Sequence, residues 1–239
     1  MQMLVYHMGR CSEVGISSFV KEIQRDVRNR TLPRLFRLEI SDVIFTKAAI
    51  ESLKELLQGQ SVLQALHILC YLDPTNASVT VLLKYLIEGL SFNSSCNDIG
   101  LGFFDLRDSH VYHLILLVRG CPQLMFFTLT FDVDLRRIMP LFSAALRYTT
   151  LRMLNLMRCK IDDRALQYLG IGIRENQHLE LLLIMDNYLL VTAKGLLRFL
   201  IFLINEKSVF DCVVINGEPF NSLIRRTGYS YIISQINHI

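Results

Sequence analysis

The segment Leu151-Arg-Met-Leu154-Asn-Leu156-Met-Arg-Cys159-Lys-Ile161 decides how the rest of the chain is read. Its apolar residues fall at intervals of 3, 2, 3 and 2. Alternation across Leu154 and Leu156 is the period of a strand with one face buried. Further on, Ala165, Leu166, Leu169 and Ile173 change to the spacing of an amphipathic helix. The segment therefore predicts one strand, a turn and one helix.

The same spacing recurs at Leu179, Leu182, Ile184, Asn187 and Leu189, and at Leu35, Leu38, Ile40, Val43 and Phe45. Shorter matches begin at Leu63 (Leu66, Ile68), Cys96 (Ile99, Leu101, Phe104, Leu106) and Leu124 (Phe127, Leu129), and a weaker one at Phe210 (Val213, Ile215). A degenerate opening unit runs from Met3 through Tyr6, Met8 and Cys11. Seven starts at 35, 63, 96, 124, 151, 179 and 210 are separated by 28, 33, 28, 27, 28 and 31 residues. Helical stripes follow: Ile16, Phe19, Ile23 and Val27; Ile50, Leu53, Leu56 and Leu57; Leu82, Leu83, Leu86 and Leu90; Leu196, Leu197, Leu200 and Leu203. One such unit cannot bury its own apolar stripe, whereas a stack of them makes a continuous core. The unit from Leu63 is about five residues too long, and Ser91 to Ser95 are predicted to form a protruding loop.

These units resemble leucine-rich repeats of the long, helix-containing type found in ribonuclease inhibitor and in the sensor domains of nucleotide-binding innate-immune receptors. The form Leu154-Asn-Leu156-Met-Arg-Cys159-Lys-Ile161-Asp-Asp is also similar to repeats of F-box ubiquitin-ligase adaptors, as is Cys121-Pro-Gln-Leu124. The resemblance covers residues 30 to 220. It implies a right-handed α/β solenoid, a horseshoe with a parallel sheet on the concave side and helices on the convex side. Residues 1–34 would form a degenerate first repeat, 35–220 the repeats and 221–239 a C-terminal cap, together one domain. Leu223, Ile224, Tyr229, Tyr231 and Ile232 give that cap its apolar side. The turn asparagine of such repeats stands only at Asn187; Cys159 replaces it in one unit, and Val43, Tyr71, Phe104 or Asp132 elsewhere. Neither a Gly-x-x-x-x-Gly-Lys-Ser/Thr loop nor an F-box accompanies the repeats.

Composition narrows the function. The chain of 239 residues is 51% hydrophobic, enough to offset the ordering entropy of a folded domain. No run of about 20 apolar residues occurs; the best, Gly195 to Ile204, contains Arg198 and stops at Asn205 and Glu206. No membrane span is expected. With 25 basic and 22 acidic residues the net charge is +3, which supplies no electrostatic case for nucleic acid. The arginines at 25, 28, 30, 34 and 37 are interleaved with Glu22, Asp26 and Glu39 and read as a solvated helix and turn. Six dispersed cysteines, at 11, 70, 96, 121, 159 and 212, form no paired motif and read as buried thiols of a reducing, cytoplasmic compartment. Met1 to Arg10 lacks the apolar core of a signal peptide. Three sequons, at Asn29, Asn76 and Asn93, stand weakly against that reducing compartment, since chance alone supplies about one or two.

Candidate chemistry is sparse. His110 and His113 share a helical face, but only Asp108 stands near them as a further metal ligand, and they read as surface histidines at a helix start. Asp162-Asp163 and the Asp132/Asp134 pair follow strands, where Asp commonly bonds turn backbone. Gly100 and Gly102 are not embedded in a phosphate loop. No catalytic residue, metal or cofactor is assigned, and the chain is expected not to be an enzyme. What remains is the strand face between the buried leucines. It reads Arg37, Glu39, Asp42, His67 and Asp98 early, then Phe126, Thr128, Thr130 and Phe131, Met153, Asn155, Met157 and Arg158, and Leu181, Leu183, Met185 and Asp186. Its later, apolar part predicts a protein-binding surface made by Phe126, Thr128, Phe131, Met153, Asn155, Met157, Arg158, Leu183 and Met185. A scaffold, adaptor or substrate-recruiting role is the first expectation, and an inhibitor occluding an enzyme's active site the alternative. A one-residue slip of register would bury this face instead.

Overall fold

A computed structural model of the chain describes residues 4–8, 18, 21, 25, 35–59, 63–72, 78–102, 108–130, 134–185, 191–205, 212–215 and 218–221. Strands and helices alternate along it: β1 (Leu4–Met8), β2 (Leu35–Phe45), α1 (Lys47–Gly59), β3 (Ala65–Leu72), α2 (Val79–Leu90), β4 (Asp98–Gly102), α3 (Asp108–Gly120) and β5 (Phe126–Thr130). There follow α4 (Met139–Leu146), β6 (Met153–Met157), α5 (Asp163–Arg174), β7 (Leu181–Met185), α6 (Ala193–Asn205), β8 (Cys212–Ile215) and β9 (Glu218–Asn221). The chain divides into two compact units, residues 1–103 with 112–125 and residues 104–111 with 126–239.

In the first unit β1 to β4 pair in chain order and in parallel. In the second, β5 to β8 do the same. The register follows the sequence phase: the residue three beyond each unit start faces its counterpart in the next strand. Tyr6 partners Leu38, Leu38 partners Leu66, and Leu66 partners Ile99. Phe127 partners Leu154, Leu154 partners Leu182, and Leu182 partners Val213. Parallel strands alternating with helices at this spacing fit a repeat-type solenoid.

Burial alternates as the pattern requires. Leu38, Ile40, Leu66, Ile68, Ile99 and Leu101 are buried in the first unit. Phe127, Leu129, Leu154, Leu156, Leu182, Ile184 and Val213 are buried in the second. The residues opening each unit, Leu63, Cys96, Leu124, Leu151 and Leu179, are also sequestered. Helix stripes meet them from Ile50, Leu53, Leu56 and Leu57 in α1 and from Leu166, Leu169 and Ile173 in α5. Neighbouring helices also pack together, α1 on α2 in the first unit and α4 on α5 and α5 on α6 in the second. Each fully buried leucine stabilises by roughly 1.5–3 kcal/mol relative to an exposed one. Leu197, included in the α6 stripe, is only half-buried.

Polar groups fasten the joints. Ser78 Oγ accepts from the Val81 N–H (3.2 Å) and Asp162 Oδ1 from the Ala165 N–H (2.8 Å), capping α2 and α5. Asn176 is 4% exposed; its amide donates to the Leu146 carbonyl at the end of α4, and its Oδ1 accepts from the His178 and Leu179 N–H groups (2.7 and 2.8 Å). Asn93 repeats the device, donating to the Leu57 carbonyl (3.3 Å) and accepting from Ser95 and Cys96 (both 2.9 Å). Each stands three residues before a unit start and ties one helix end to the entry of the next strand. Cys159, at the turn-asparagine position, is buried and its thiol donates to the Leu129 carbonyl of β5 (3.3 Å).

The fold departs from expectation at two points. Ser91–Ser95 protrudes only in part: Phe92 is 72% exposed, but Asn93 is 1% exposed and both ends of its amide are engaged. Its sequon is closed to a glycan in this fold. The second unit also carries a strand that no repeat predicted, β9, which runs antiparallel to β8. Asn216-Gly217, between those strands in sequence, is the pair that two-residue hairpins favour, a signal the repeat pattern obscured. The cap residues Leu223 to Ile232 and Asn187 lie outside the described residues.

Candidate functional site

The register is not slipped. Between the buried residues, Arg37, Glu39 and His67 in the first unit and Thr128, Asn155 and Leu183 in the second are half-buried, so they share the other face of their strands; Gly100 at the matching place in β4 is buried. What they carry differs between the units.

On the first unit Arg37 (β2), His67 (β3) and Asp98 (β4) form a chain across three strands. Arg37 Nη2 lies 3.2 Å from His67 Nδ1, and His67 Nε2 lies 3.0 Å from Asp98 Oδ1. A guanidinium can only donate, so Nδ1 accepts and the ring proton sits on Nε2, which donates to the carboxylate. The network thus selects the neutral Nε2–H tautomer. Arg37 also faces Glu39 at 3.6 Å and the second Asp98 oxygen at 3.8 Å. Gly100 makes room for the ring: a Cβ there would stand 2.8 Å from His67 Cγ. The side chain of Asp42 lies outside the described residues.

On the second unit the same positions make apolar rows. Phe126, Met153 and Leu181 stand in register, as do Thr128, Asn155, Leu183 and Val214, and Met157 faces Met185. Polar side chains interrupt them at Thr128, Thr130 and Asn155. Asn155 Oδ1 and Thr130 Oγ1 are buried and have no hydrogen-bond partner. A buried polar group left unmet costs about 1–3 kcal/mol; the Asn155 oxygen can only accept, whereas the Thr130 hydroxyl can donate or accept. Arg158 closes the row beside Met157. It is exposed, its N–H donates to the Met185 carbonyl (2.9 Å), and it holds a left-handed backbone (φ 55°), as does Lys160 (φ 45°). The structure therefore brings together Phe126, Thr128, Met153, Asn155, Met157, Arg158, Leu183 and Met185 around β5–β7. Phe131 and Asp186 lie outside the described residues. Val214 extends the face and escaped the sequence reading, because the unit from Phe210 is the weakest match.

The carboxylates next to these strands serve the backbone. Asp162 caps α5. Asp163 accepts from the Thr192 N–H (2.7 Å) and Oγ1–H (2.5 Å) at the entry to α6. Asp134 pairs with Arg136 at 2.5 Å, and that hydrogen bond holds its carboxyl below the ordinary aspartate range. His110 and His113 are half-buried on α3, not surface groups as expected, and His113 Nδ1 is buried without a partner. Among the described residues no three His, Cys, Asp or Glu side chains are grouped so as to hold a metal ion. Cys96, Cys121 and Cys159 are free and buried. Burial pushes the Cys96 thiol up to about 12 and the Cys121 thiol up to about 11, and raises Cys159 further, so none is a ready nucleophile. Among the described residues no helix is long and apolar enough to cross a membrane.

No family model and no curated protein matches the chain. Among solved structures, it is similar at 10% identity and a TM-score of 0.39 to a protein from Bacteroides fragilis, over 89% of this chain and 74% of that one. A second likeness is to the catalytic domain of a hyperthermophilic chitinase from Pyrococcus furiosus, at 8% identity and a TM-score of 0.30, covering 90% of this chain and 84% of that one. Likenesses this distant assign neither a family nor an activity.

Proposed function

We propose that the chain is a leucine-rich-repeat solenoid whose sheet lines the concave side, and that it works as a protein-interaction module, a scaffold or substrate-recruiting adaptor in the cytoplasm. Partner binding falls to the apolar strand face of β5–β8. The observation that carries this reading is the buried, unpartnered Asn155 Oδ1 set within rows of Phe126, Met153, Leu181, Leu183, Met157 and Met185. Apolar side chains in such rows supply contact area, and a single unmet acceptor among them selects a partner that brings a donor to that point. Free buried thiols suit a reducing compartment. Among the described residues, Asp134, Asp162 and Asp163 are engaged structurally, which supports a role without catalysis.

The test is capture of partners from a cell extract by the intact chain and by the Phe126→Ala/Met157→Ala double variant, with folding checked by circular dichroism. Truncating one true anchor costs about 2 kcal/mol or more of binding, so the double variant should lose its partners. Undiminished capture by a folded double variant removes the strand face as the binding site.

A further inference from the structure

The second unit carries a groove built entirely from α5 and α6, with a volume of about 350 Å³. That is at the small end of ligand-sized clefts, room for one or two apolar side chains. Gly170 forms its floor. A Cβ there would lie 3.2 Å from Phe202 and 3.3 Å from Phe199, so the missing side chain lets both rings approach the α5 backbone. Ile171, 46% exposed, adds an apolar wall.

Three charged groups line this cleft: Asp163, Arg164 and Arg198. Both oxygens of Asp163 are taken by Thr192 at the start of α6. Arg164 donates to the Tyr168 hydroxyl (3.4 Å) and lies 5.7 Å from its ring; it forms no ion pair among the described residues, and Asp162 attracts it only through space. Arg198 is exposed and makes no ion pair among the described residues. The result is an apolar floor under a rim in which two guanidiniums, one on each helix, outnumber the single carboxylate of Asp163.

We propose that this groove is a second docking site, for an acidic peptide segment of a partner protein. Such a segment would insert one aromatic or branched aliphatic side chain against Ile171, Phe199 and Phe202, and set carboxylates on either side of that anchor against Arg164 and Arg198. Guanidinium–carboxylate pairing is strong when bidentate, and two cations on opposite walls match acids on both sides of an anchor better than one free carboxylate.

Fluorescence anisotropy of the full chain with a labelled, end-blocked peptide tests this. The probe carries one central Phe flanked on each side by Asp and Glu. Saturable binding is expected, weakening with added salt. It should fall at least about tenfold, or 1.4 kcal/mol, when the Phe becomes Ser, when the acids become amides, and in Arg164→Glu or Arg198→Glu. Arg198→Gln serves if a charge reversal fails to fold. The Phe126→Ala/Met157→Ala variant should bind the probe normally, which separates this site from the strand face. The proposal is overturned by absence of saturable binding, by binding that survives both folded arginine variants, or by 3-phenylpropionate binding as tightly as the peptide.

Discussion

The two units place their half-buried strand residues at equivalent positions and fill them with opposite chemistry. On the first, Arg37, His67 and Asp98 answer one another's hydrogen-bonding needs across three strands. On the second, Phe126, Met153 and Leu181 stand in a row, and the Asn155 carbonyl oxygen beside them has no answer. One face is internally satisfied; the other keeps apolar area and an acceptor in reserve. Both units pair these strands in parallel and in the same phase, so the capacity to bind is set chiefly by the side chains placed at repeated positions.

The largest expected effect tests whether core and face are separate at all. Leu154, fully buried, and Met153, half-buried, are adjacent on β6. Leu154→Ala should cost about 2–5 kcal/mol of stability, the range for a large-to-small core change, and Met153→Ala much less. Urea unfolding reads both. Equal costs would mean that Met153 is core and that the apolar face is not a surface.

How much of this could be read from sequence follows from the same contrast. Strand leucines report their own burial, because period 2 leaves one arrangement in which Leu38, Leu66, Ile99, Leu154 and Leu182 all turn inward. The strand phase and, among the described helices, α1, α2, α5 and α6 follow from such positions; α3 and α4 do not. Satisfaction of polar groups is not periodic. Nothing local to His67 announces that Arg37, 30 residues earlier, and Asp98, 31 residues later, reach its two ring nitrogens. Asn93 and Asn176 went unnoticed as joints for the same reason: the helix carbonyls they bind lie 36 and 30 residues away. A tally of Asn three residues before each unit start would have found them. The groove between α5 and α6 was hidden too, since it depends on where Gly170 meets Phe199.

The next effect bears on the satisfied face. His67→Phe keeps ring bulk over Gly100 but removes the acceptor of Arg37 and the donor to Asp98. Leaving two part-exposed charged groups without that bridge should destabilise by about 1–2 kcal/mol, read by thermal unfolding, with partner capture unaffected. Lost capture would place the first unit in the binding surface. Asn155→Leu should move the other way. It removes an unmet acceptor and adds apolar volume to an apolar row, so stability should hold or rise by up to about 1 kcal/mol. Binding to the captured partner should nevertheless weaken. A variant that loses stability by more than that shows Asn155 already bonded in the free chain.

The smallest expected effect separates the backbone of the second face from its side chains. The two non-glycine residues of positive φ among those described, Arg158 and Lys160, both follow β6. A left-handed L-residue costs about 1–2 kcal/mol, while glycine there gives back roughly 0.5–1 kcal/mol through the freedom it adds to the unfolded chain. Arg158→Gly and Lys160→Gly should therefore each shift stability by less than about 1 kcal/mol, and in the same direction, because both relieve the same kind of strain. Binding should tell them apart. Lys160→Gly keeps every side chain of the apolar rows and should bind as the parent does, whereas Arg158→Gly removes the guanidinium at their edge and should bind more weakly. If calorimetry with the captured partner finds the two variants equally impaired, the turn and not the arginine shapes the face, and Arg158 is a positioning residue.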